Sequence, residues 1–208
     1  MSAQGKRVHK PASVRESEIL TAAAGCFAAH GYRGVDVQLI ADTAGVGKGT
    51  VYRYFASKEV LFRSALRHCL DQLRHHVRAA SDHVIEPMER FRTATRAYLA
   101  FFDNHPETIE LFIQERAEFR DRETPLYFLY VDEHREHWLA LWRQLMQDGR
   151  LRVNDAEAVN RLVSRMLYGF ILTRTAELDS GSLEDGFDEL FEIMLHGVLR
   201  TDSDNEPG

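Results

Sequence analysis

The sequence predicts an all-α protein with nine helices. Apolar residues recur every three or four positions along the chain, which is the period of one helix face. Glycine, proline and short polar stretches separate these periodic segments, and no segment alternates apolar and polar residues as a half-buried strand does. The 208 residues are 44% hydrophobic and 28% charged, so the chain has enough apolar material for a sizeable core.

The first helix has a clear start and stop. Ser13 and Glu16 are spaced as a capping box at its N-terminus. Gly31 follows the last periodic residue, where glycine commonly ends a helix. Tyr32 is then expected to fold back on Phe27, the contact that accompanies a Schellman ending.

Similar signals delimit the other helices. Asp36 is the N-cap and Gly45 the stop of the second helix, and Ser57 is the N-cap of the fourth. Pro87 suits the first turn of the fifth, and Gly149 ends the seventh. The nine helices are predicted at about residues 13–30, 36–45, 47–55, 57–83, 87–104, 106–119, 125–149, 155–178 and 183–199.

Composition excludes several classes of protein. No run approaches the ~18 consecutive apolar residues that cross a membrane. The first eleven residues lack the apolar core of a signal peptide. Two cysteines are too few for a disulfide framework, so a reducing cytoplasm is the expected location.

Charge is unevenly distributed along the chain, whose net charge is −6. Residues 1–60 contain eight basic and five acidic residues, whereas the remainder contains 18 basic and 27 acidic residues. This asymmetry favours a basic head that meets a polyanion, although an excess of three charges also arises by chance.

The second and third helices form a helix-turn-helix pattern around Gly45 and Val46. In this motif the first helix braces on the DNA backbone and the second enters the major groove. Val51 and Phe55, four residues apart, are expected to pack inward. The rest of the second helix of the motif is expected to face DNA: Lys48, Thr50, Tyr52, Arg53 and Tyr54, with Gly49 allowing close approach of the backbone.

A nucleotide-binding P-loop is a rival interpretation of residues 45–50. That loop needs glycine five residues before the glycine of its Gly-Lys pair, and Ser or Thr directly after the lysine. Asp42 and Gly49 occupy these positions, and no strand precedes the segment. A nucleotide-hydrolysing site is therefore disfavoured.

Residues 31–62 carry several motifs at fixed spacing: Gly31-Tyr32-Arg33-Gly34, Leu39-Ile40-Ala41, Ala44 through Phe55, Ser57-Lys58-Glu59 and Leu61-Phe62. Together they resemble the DNA-binding domain of the tetracycline-repressor (TetR) family of transcriptional regulators. The resemblance implies a flexible basic arm at 1–12, a helix-turn-helix domain at 13–56, an effector-binding and dimerisation domain at 57–200, and a disordered tail at 201–208.

The same resemblance implies roles for individual residues. Positions that lie against bases or their sugars are matched by Lys48, Gly49 and Tyr52. Positions that hold phosphates are matched by Thr50, Tyr54 and Lys58, while Arg53 matches a variable position that reaches a base or a phosphate. Two positions depart from the usual Ser or Thr: Asp36 adds a negative charge near the DNA backbone, and Gly47, a further DNA-contacting position, lacks the hydroxyl.

Aromatic residues crowd the middle of the chain. Their helical spacing is typical of core, and the resemblance implies a ligand cavity between the fifth and eighth helices. The residues chosen as its lining are Phe102, Phe112, Trp138, Trp142, Met166 and Tyr168, with Arg116 or Arg165 as polar anchors.

No catalytic set, metal site or cofactor is predicted. Histidines recur at seven or eight residues in the fourth helix, and seven residues span about 10 Å along a helix, too far to share one metal. Serines, carboxylates and histidines are otherwise scattered. The protein is therefore not expected to be an enzyme.

The last two helices are apolar on more than one side, which a monomer rarely needs. The resemblance implies a two-fold four-helix interface, and packing within one chain is the alternative. The residues assigned to this interface are Ala158, Arg165, Gly169, Leu172, Ala176, Phe187, Phe191 and Met194.

These expectations combine into a homodimeric transcriptional regulator that binds double-stranded operator DNA and does not associate with a membrane. The resemblance implies a repressor, released from DNA by a small apolar or aromatic effector, although activation stays open. The alternatives are a metal- or stress-responsive regulator of the same fold, and a small-molecule-binding protein with degenerate DNA binding.

Overall fold

A computed structural model describes residues 11–120, 124–173, 182–183 and 185–198, with side chains of the last range described up to residue 193. Within these residues the chain forms ten α-helices and no strand, so the all-α class is confirmed and the predicted number of helices is one too few. The helices are α1 (Ala12–Gly34), α2 (Val37–Thr43), α3 (Lys48–Tyr54), α4 (Lys58–Ser81), α5 (Pro87–Asn104), α6 (Pro106–Glu118), α7 (Leu126–Glu133), α8 (Glu136–Gln147), α9 (Ala156–Thr173) and α10 (Phe187–Val198).

The chain divides into two compact units, residues 1–69 and 70–208. The first contains α1 to α3 and the N-terminal half of α4, and the second contains the remaining helices. The tail predicted at 201–208 and all but the last two residues of the predicted basic arm lie outside the described residues. No helix in the described part of the chain has the length and apolar character needed to cross a membrane.

Helix α1 begins one residue before the predicted N-cap. Pro11 occupies the cap position, so Ser13 lies inside the first turn and the predicted capping box is wrong. The backbone leaves the helical region at Gly31, where φ is 72°. Phe27 stacks on Tyr32 with ring centroids 6.0 Å apart, which confirms the contact predicted for this ending.

The first unit has its core where α1, α2 and α4 meet. The ring of Phe62 lies edge-on to Phe27 and Tyr32, with centroid distances of 5.1 and 5.3 Å. Ile19 and Ile40 are fully buried beside them. These edge-to-face aromatic contacts add to the free energy of burial and so stabilise the packing of α4 on α1 beside the helix-turn-helix.

The helix predicted over residues 125–149 is wrong, because the structure has two helices, α7 and α8, in its place. The His134 ring nitrogen Nδ1 bonds the carbonyl of Tyr130 at 2.9 Å. In a continuous α-helix that carbonyl would accept the backbone N–H of His134, which instead donates to Val131. The side chain thus competes with the backbone for this acceptor at the residue where α7 ends.

Helix α8 ends as predicted at Gly149. This glycine has φ of 68°. Its N–H donates to the Met146 carbonyl, and the N–H of Arg150 donates to Leu145, at 3.0 and 2.9 Å. These two bonds are those of a Schellman motif.

Helix α10 begins four residues later than predicted. The backbone N–H of Asp185 donates to Ser182 Oγ at 3.1 Å, and the N–H of Ser182 donates to Asp185 Oδ2 at 2.8 Å. This reciprocal turn occupies the predicted start, and the helix follows it at Phe187. The predicted extension of α9 to residue 178 lies outside the described residues.

Candidate nucleic-acid interface and internal cavity

The turn between α2 and α3 is closed by local hydrogen bonds. Asp36 caps α2, its Oδ1 accepting from the Gln38 N–H at 2.8 Å. At the other end Gly45 has φ of 65°, and its N–H donates to the Asp42 carbonyl at 3.1 Å. The N–H of Val46 donates to Ala41 at 2.9 Å, which completes a second Schellman motif.

Helix α3 buries one side and exposes the other. Val51 and Phe55 are 1% and 3% exposed, so both pack inward as predicted. Tyr52 and Arg53 are exposed on the opposite side. Lys48, Thr50 and Tyr54 are half-buried at the edges of that surface.

Intramolecular packing does not explain the glycines of α3. A Cβ built at Gly47 or Gly49 meets no atom within 4 Å. Gly47 lies at the N-cap position, where it supplies no side-chain hydrogen bond. A close approach of DNA stays the predicted reason for glycine at position 49.

Lys48 is paired within the first unit. Its Nζ lies 2.8 Å from Asp36 Oδ1. Hydrogen bonds from the Gln38 N–H and from Lys48 lower the pKa of the Asp36 carboxyl, and the bond to Asp36 raises the pKa of Lys48. Both groups are therefore charged at neutral pH, and the Asp36 carboxylate lies beside the ammonium that is predicted to contact DNA.

We expect Asp36→Asn to raise the affinity for duplex DNA about three- to tenfold at low salt, because a negative charge leaves the surface that meets phosphates. Asparagine caps a helix as well as aspartate does, so α2 is retained. Fluorescence anisotropy with a labelled duplex measures the change. Asp42→Asn is the matched control, since it neutralises an exposed carboxylate of the same helix that bonds Gln38 Nε2 instead. An equal gain in both variants would contradict the role of the Asp36–Lys48 pair.

Lys58 also has intramolecular contacts. Its Nζ donates to the backbone carbonyls of Val35 and Arg33 at 2.5 and 3.3 Å, and lies 5.2 Å from the centroid of the Tyr32 ring. The ammonium thus satisfies carbonyls at the end of α1 from its place in the first turn of α4. A phosphate contact at this residue stays a prediction.

The second unit contains a cavity of about 180 Å³. One face of each of α4, α5, α7, α8 and α9 contributes to its wall. The lining is mainly apolar and its aromatic members are Phe91, Tyr98, Tyr127, Tyr130, Trp138 and Trp142.

Buried polar groups in the wall are hydrogen-bonded to each other. Trp142 Nε1 donates to Asn160 Oδ1 at 3.3 Å. Tyr127 donates to the Ser164 carbonyl at 3.4 Å, so the 3.2 Å contact between the two tyrosine hydroxyls has Tyr98 as the donor. Burial raises the pKa of both tyrosines, which keeps them neutral.

Comparisons with known proteins agree with this geometry. The model of the family described as "Bacterial regulatory proteins, tetR family" matches residues 19–65. The HTH-type transcriptional repressor KstR2 of Mycolicibacterium smegmatis is 31% identical over 168 residues, which cover 80% of this chain and 78% of that protein. The chain belongs to the TetR family.

Further relatives extend the match over most of the chain. The repressor AcnR of Corynebacterium diphtheriae is 26% identical over 195 residues, covering 89% of this chain and 92% of that protein. The solved structure of the ketosteroid transcriptional regulator KstR2 of Mycobacterium tuberculosis has a TM-score of 0.65 and 25% identity, covering 94% of this chain and 100% of that chain. The predicted family is confirmed, and this TetR-family protein is a DNA-binding transcriptional regulator.

The structure separates the predicted ligand residues into three groups. Trp138 and Trp142 lie in the cavity wall. An aromatic cluster outside the wall holds Phe102, Phe112 and Tyr168, with Phe112 6.0 Å from Phe102 and 5.5 Å from Tyr168 between ring centroids. The remaining predicted residues, also outside the wall, are Arg116, Arg165 and Met166.

The wall has residues on α4 that were not predicted. Leu70, Leu73, Arg74, Val77 and Arg78 line the cavity from this helix. They recur at spacings of three and four, so the sequence carried a signal for one face. The sequence carried no signal that this face of α4 borders a cavity rather than packed core.

The predicted dimer residues are also divided. Gly169 and Arg165 are exposed on α9, with Ala158 and Leu172 half-buried. Phe187 and Phe191 are 0% and 2% exposed, so assigning them to an interface is wrong. Phe191 packs on Phe91 of α5 at 5.6 Å between ring centroids, inside the chain's own core. Ala176 and the side chain of Met194 lie outside the part of the chain that the structure describes.

Two exposed apolar residues on the same helices were not assigned to the interface. Leu162 of α9 is 53% exposed and Ile193 of α10 is 60% exposed. Leu162 lies on the outward face of α9 together with Arg165 and Gly169, at spacings of three and four residues. Within the described residues, no group of three or more His, Cys, Asp or Glu is placed to hold a metal ion.

Proposed function

We propose that this protein is a homodimeric repressor that leaves its operator when a small, largely apolar or aromatic molecule binds the cavity of the second unit. The apolar cavity with both tryptophans in its wall is the observation that supports this proposal. Relatives named as repressors, KstR2 and AcnR, favour repression over activation.

The cavity has a size suited to a ligand. An empty apolar cavity of ~150 Å³ binds benzene, and the volume here is about 180 Å³. Aromatic walls with a few fixed polar groups are the usual composition of a small-molecule site. KstR2 of Mycobacterium tuberculosis is described as a ketosteroid regulator, which agrees with an apolar class of effector.

Release from the operator depends on the coupling free energy between the effector cavity and the DNA-binding surface. An effector that binds more tightly to the DNA-incompetent form of the dimer lowers operator affinity by the ratio of its two affinities. Operator contacts are assigned to Gly47, Lys48, Gly49, Thr50 and Tyr52, then Arg53, Tyr54 and Lys58. In the proposed organisation, residues 1–12 form an arm, 13–56 bind DNA, 57–200 bind the effector and dimerise, and 201–208 form a tail. The protein is proposed to act in the cytoplasm.

Trp138→Ala is expected to raise the effector concentration needed for release about tenfold, with DNA affinity in the absence of effector changed less than twofold. The half-buried ring forms part of the wall, so its loss removes contact with the ligand and little of the core. Apolar compounds, zinc and copper are first screened for their ability to dissociate the unchanged protein from a labelled duplex. The concentration of each active compound needed for release is then compared between the unchanged protein and Trp138→Ala.

Phe119→Ala is the matched control, because Phe119 is a half-buried aromatic residue at the end of α6, outside the wall. If it weakens release as much as Trp138→Ala, the cavity is not the effector site. If zinc or copper dissociates the complex and apolar compounds do not, the metal-responsive alternative replaces this proposal.

A further inference from the structure

The cavity wall has a positive end. Arg74 and Arg78 supply this charge from α4, and the imidazoles of His134, which directly follows α7, and of His137 in α8 lie in the same wall. Among the described residues that form the wall, none is an aspartate or a glutamate. The two arginines are one helical turn apart, so their side chains lie on the same face of α4.

The acidic partners of these arginines stand outside the wall. Asp71 accepts from Arg74 Nη2 at 3.2 Å and from the Tyr130 hydroxyl at 2.7 Å. Asp82 accepts from Arg78 Nε and from Arg90 Nη2, both at 2.9 Å. Three guanidinium groups therefore meet two carboxylates, which leaves one positive charge uncompensated within this group.

His137 does not add to that charge. Its Nε2 lies 3.2 Å from Arg90 Nη2 and 3.4 Å from Asp82 Oδ1. Burial and the positive charge of Arg90 lower the pKa of His137, so the imidazole is neutral at pH 7. Among the arginines and carboxylates of this group the surplus is thus a single charge, carried by guanidinium groups that stay protonated.

Two donors of this group lack an acceptor within the described residues, Arg74 Nε and Arg90 Nε, and of these two arginines Arg74 alone lines the cavity. Arg74 Nε is buried and has no hydrogen-bond partner within the described part of the chain. A buried guanidinium N–H without an acceptor is unfavourable, and an acceptor placed in the cavity would remove that cost. Carboxylates and phosphates are the oxygen acceptors that match the planar arginine fork, and a carboxylate brings a single negative charge.

We propose that the effector is a small carboxylic acid whose ring-sized apolar body fills the aromatic part of the cavity and whose carboxylate binds Arg74 and Arg78. This inference rests on the proposed function of the cavity as the effector site. A monoanion matches the single surplus charge, and the volume admits a body slightly larger than benzene.

The test uses the full-length protein and two series of probes that share a body and differ in head group: benzoate, benzyl alcohol and benzylamine, then hexanoate, hexanol and hexylamine. Tryptophan emission reports binding, because the chain has two tryptophans and both lie in the wall. We expect the acids to bind at least tenfold more tightly than the alcohols, and the amines to cause no change.

Substitutions of the two arginines test where the carboxylate of the probe binds. Arg74→Gln and Arg78→Gln should each reduce the advantage of acid over alcohol at least fivefold. Arg143→Gln, which removes an exposed arginine of α8 outside the wall, should leave that advantage unchanged. Because the advantage compares two probes on one protein, a general loss of folded protein does not imitate the result.

The outcomes separate this inference from the proposed function. Acids and alcohols that bind equally, or no response to either series at millimolar concentration, would overturn the carboxylate site. Acids that bind without dissociating a labelled operator duplex would keep the site and contradict its role as effector site. Alcohols that dissociate the duplex where acids do not would keep the effector cavity and overturn the carboxylate.

Discussion

Gly169→Glu should convert the dimer into monomers at micromolar concentration and reduce operator affinity at least a hundredfold. A glutamate side chain fills space that the glycine leaves to the partner helix, and the two-fold symmetry introduces it twice, so the helices can no longer pack closely. Operator affinity falls as well, because a monomer reads only half of the site. Sedimentation velocity and electrophoretic mobility shift measure the two effects.

This substitution is informative because the chain itself tolerates it. Gly169 is exposed, and a Cβ built there meets no atom within 4 Å. Gly25→Glu is the matched control for the sedimentation measurement, since Gly25 is also an exposed helical glycine with the same open space. A Gly169→Glu protein that sediments as a dimer would place the interface elsewhere than the outward face of α9.

Features decided by neighbours along the chain were predictable from the sequence. Asp36 caps α2 through an N–H two residues away, and Gly45 and Gly149 end helices with bonds that span at most five residues. Such contacts depend on residue type and local spacing alone. The helix-turn-helix was therefore located by its sequence, including the inward side of α3.

Features decided by distant segments were not predictable. Phe112 and Trp142 are both buried aromatic residues on helices, yet only Trp142 lines the cavity. Helical spacing shows that each faces inward but not what lies opposite. The positive end of the wall depends on Asp71, which accepts hydrogen bonds from both Arg74 and Tyr130. Tyr130 and Asp71 are 59 positions apart in the sequence.

Some local features were missed as well, among them the capping box predicted at Ser13 and the break at His134, where a side chain takes a backbone acceptor. The periodic apolar pattern across 125–149 suits one long helix. His134 takes the Tyr130 carbonyl with its ring, and the pattern carries no sign of this competition. The break separates α7 from α8 and so changes which residues of each helix can reach the cavity.

Lys58→Ala should lower affinity for every duplex and reduce the slope of log Kobs against log salt by about one per subunit, because each lost phosphate contact retains one counterion on the DNA. The ammonium also bonds the Val35 and Arg33 carbonyls, so the variant should lose about 1 kcal/mol of folding free energy. Titrations at several salt concentrations measure the slope, and thermal unfolding measures the stability.

The two readouts separate a phosphate contact from a structural role. If Lys58 only satisfies the end of α1, the variant loses stability and binding-competent protein, but its salt slope equals that of the unchanged protein. Arg143→Ala is the control, since it removes an exposed positive charge from the second unit, where Arg143 pairs with Glu136. A slope that decreases in Lys58→Ala and not in Arg143→Ala assigns the phosphate contact to Lys58, which then exchanges a backbone carbonyl for a phosphate oxygen on binding DNA.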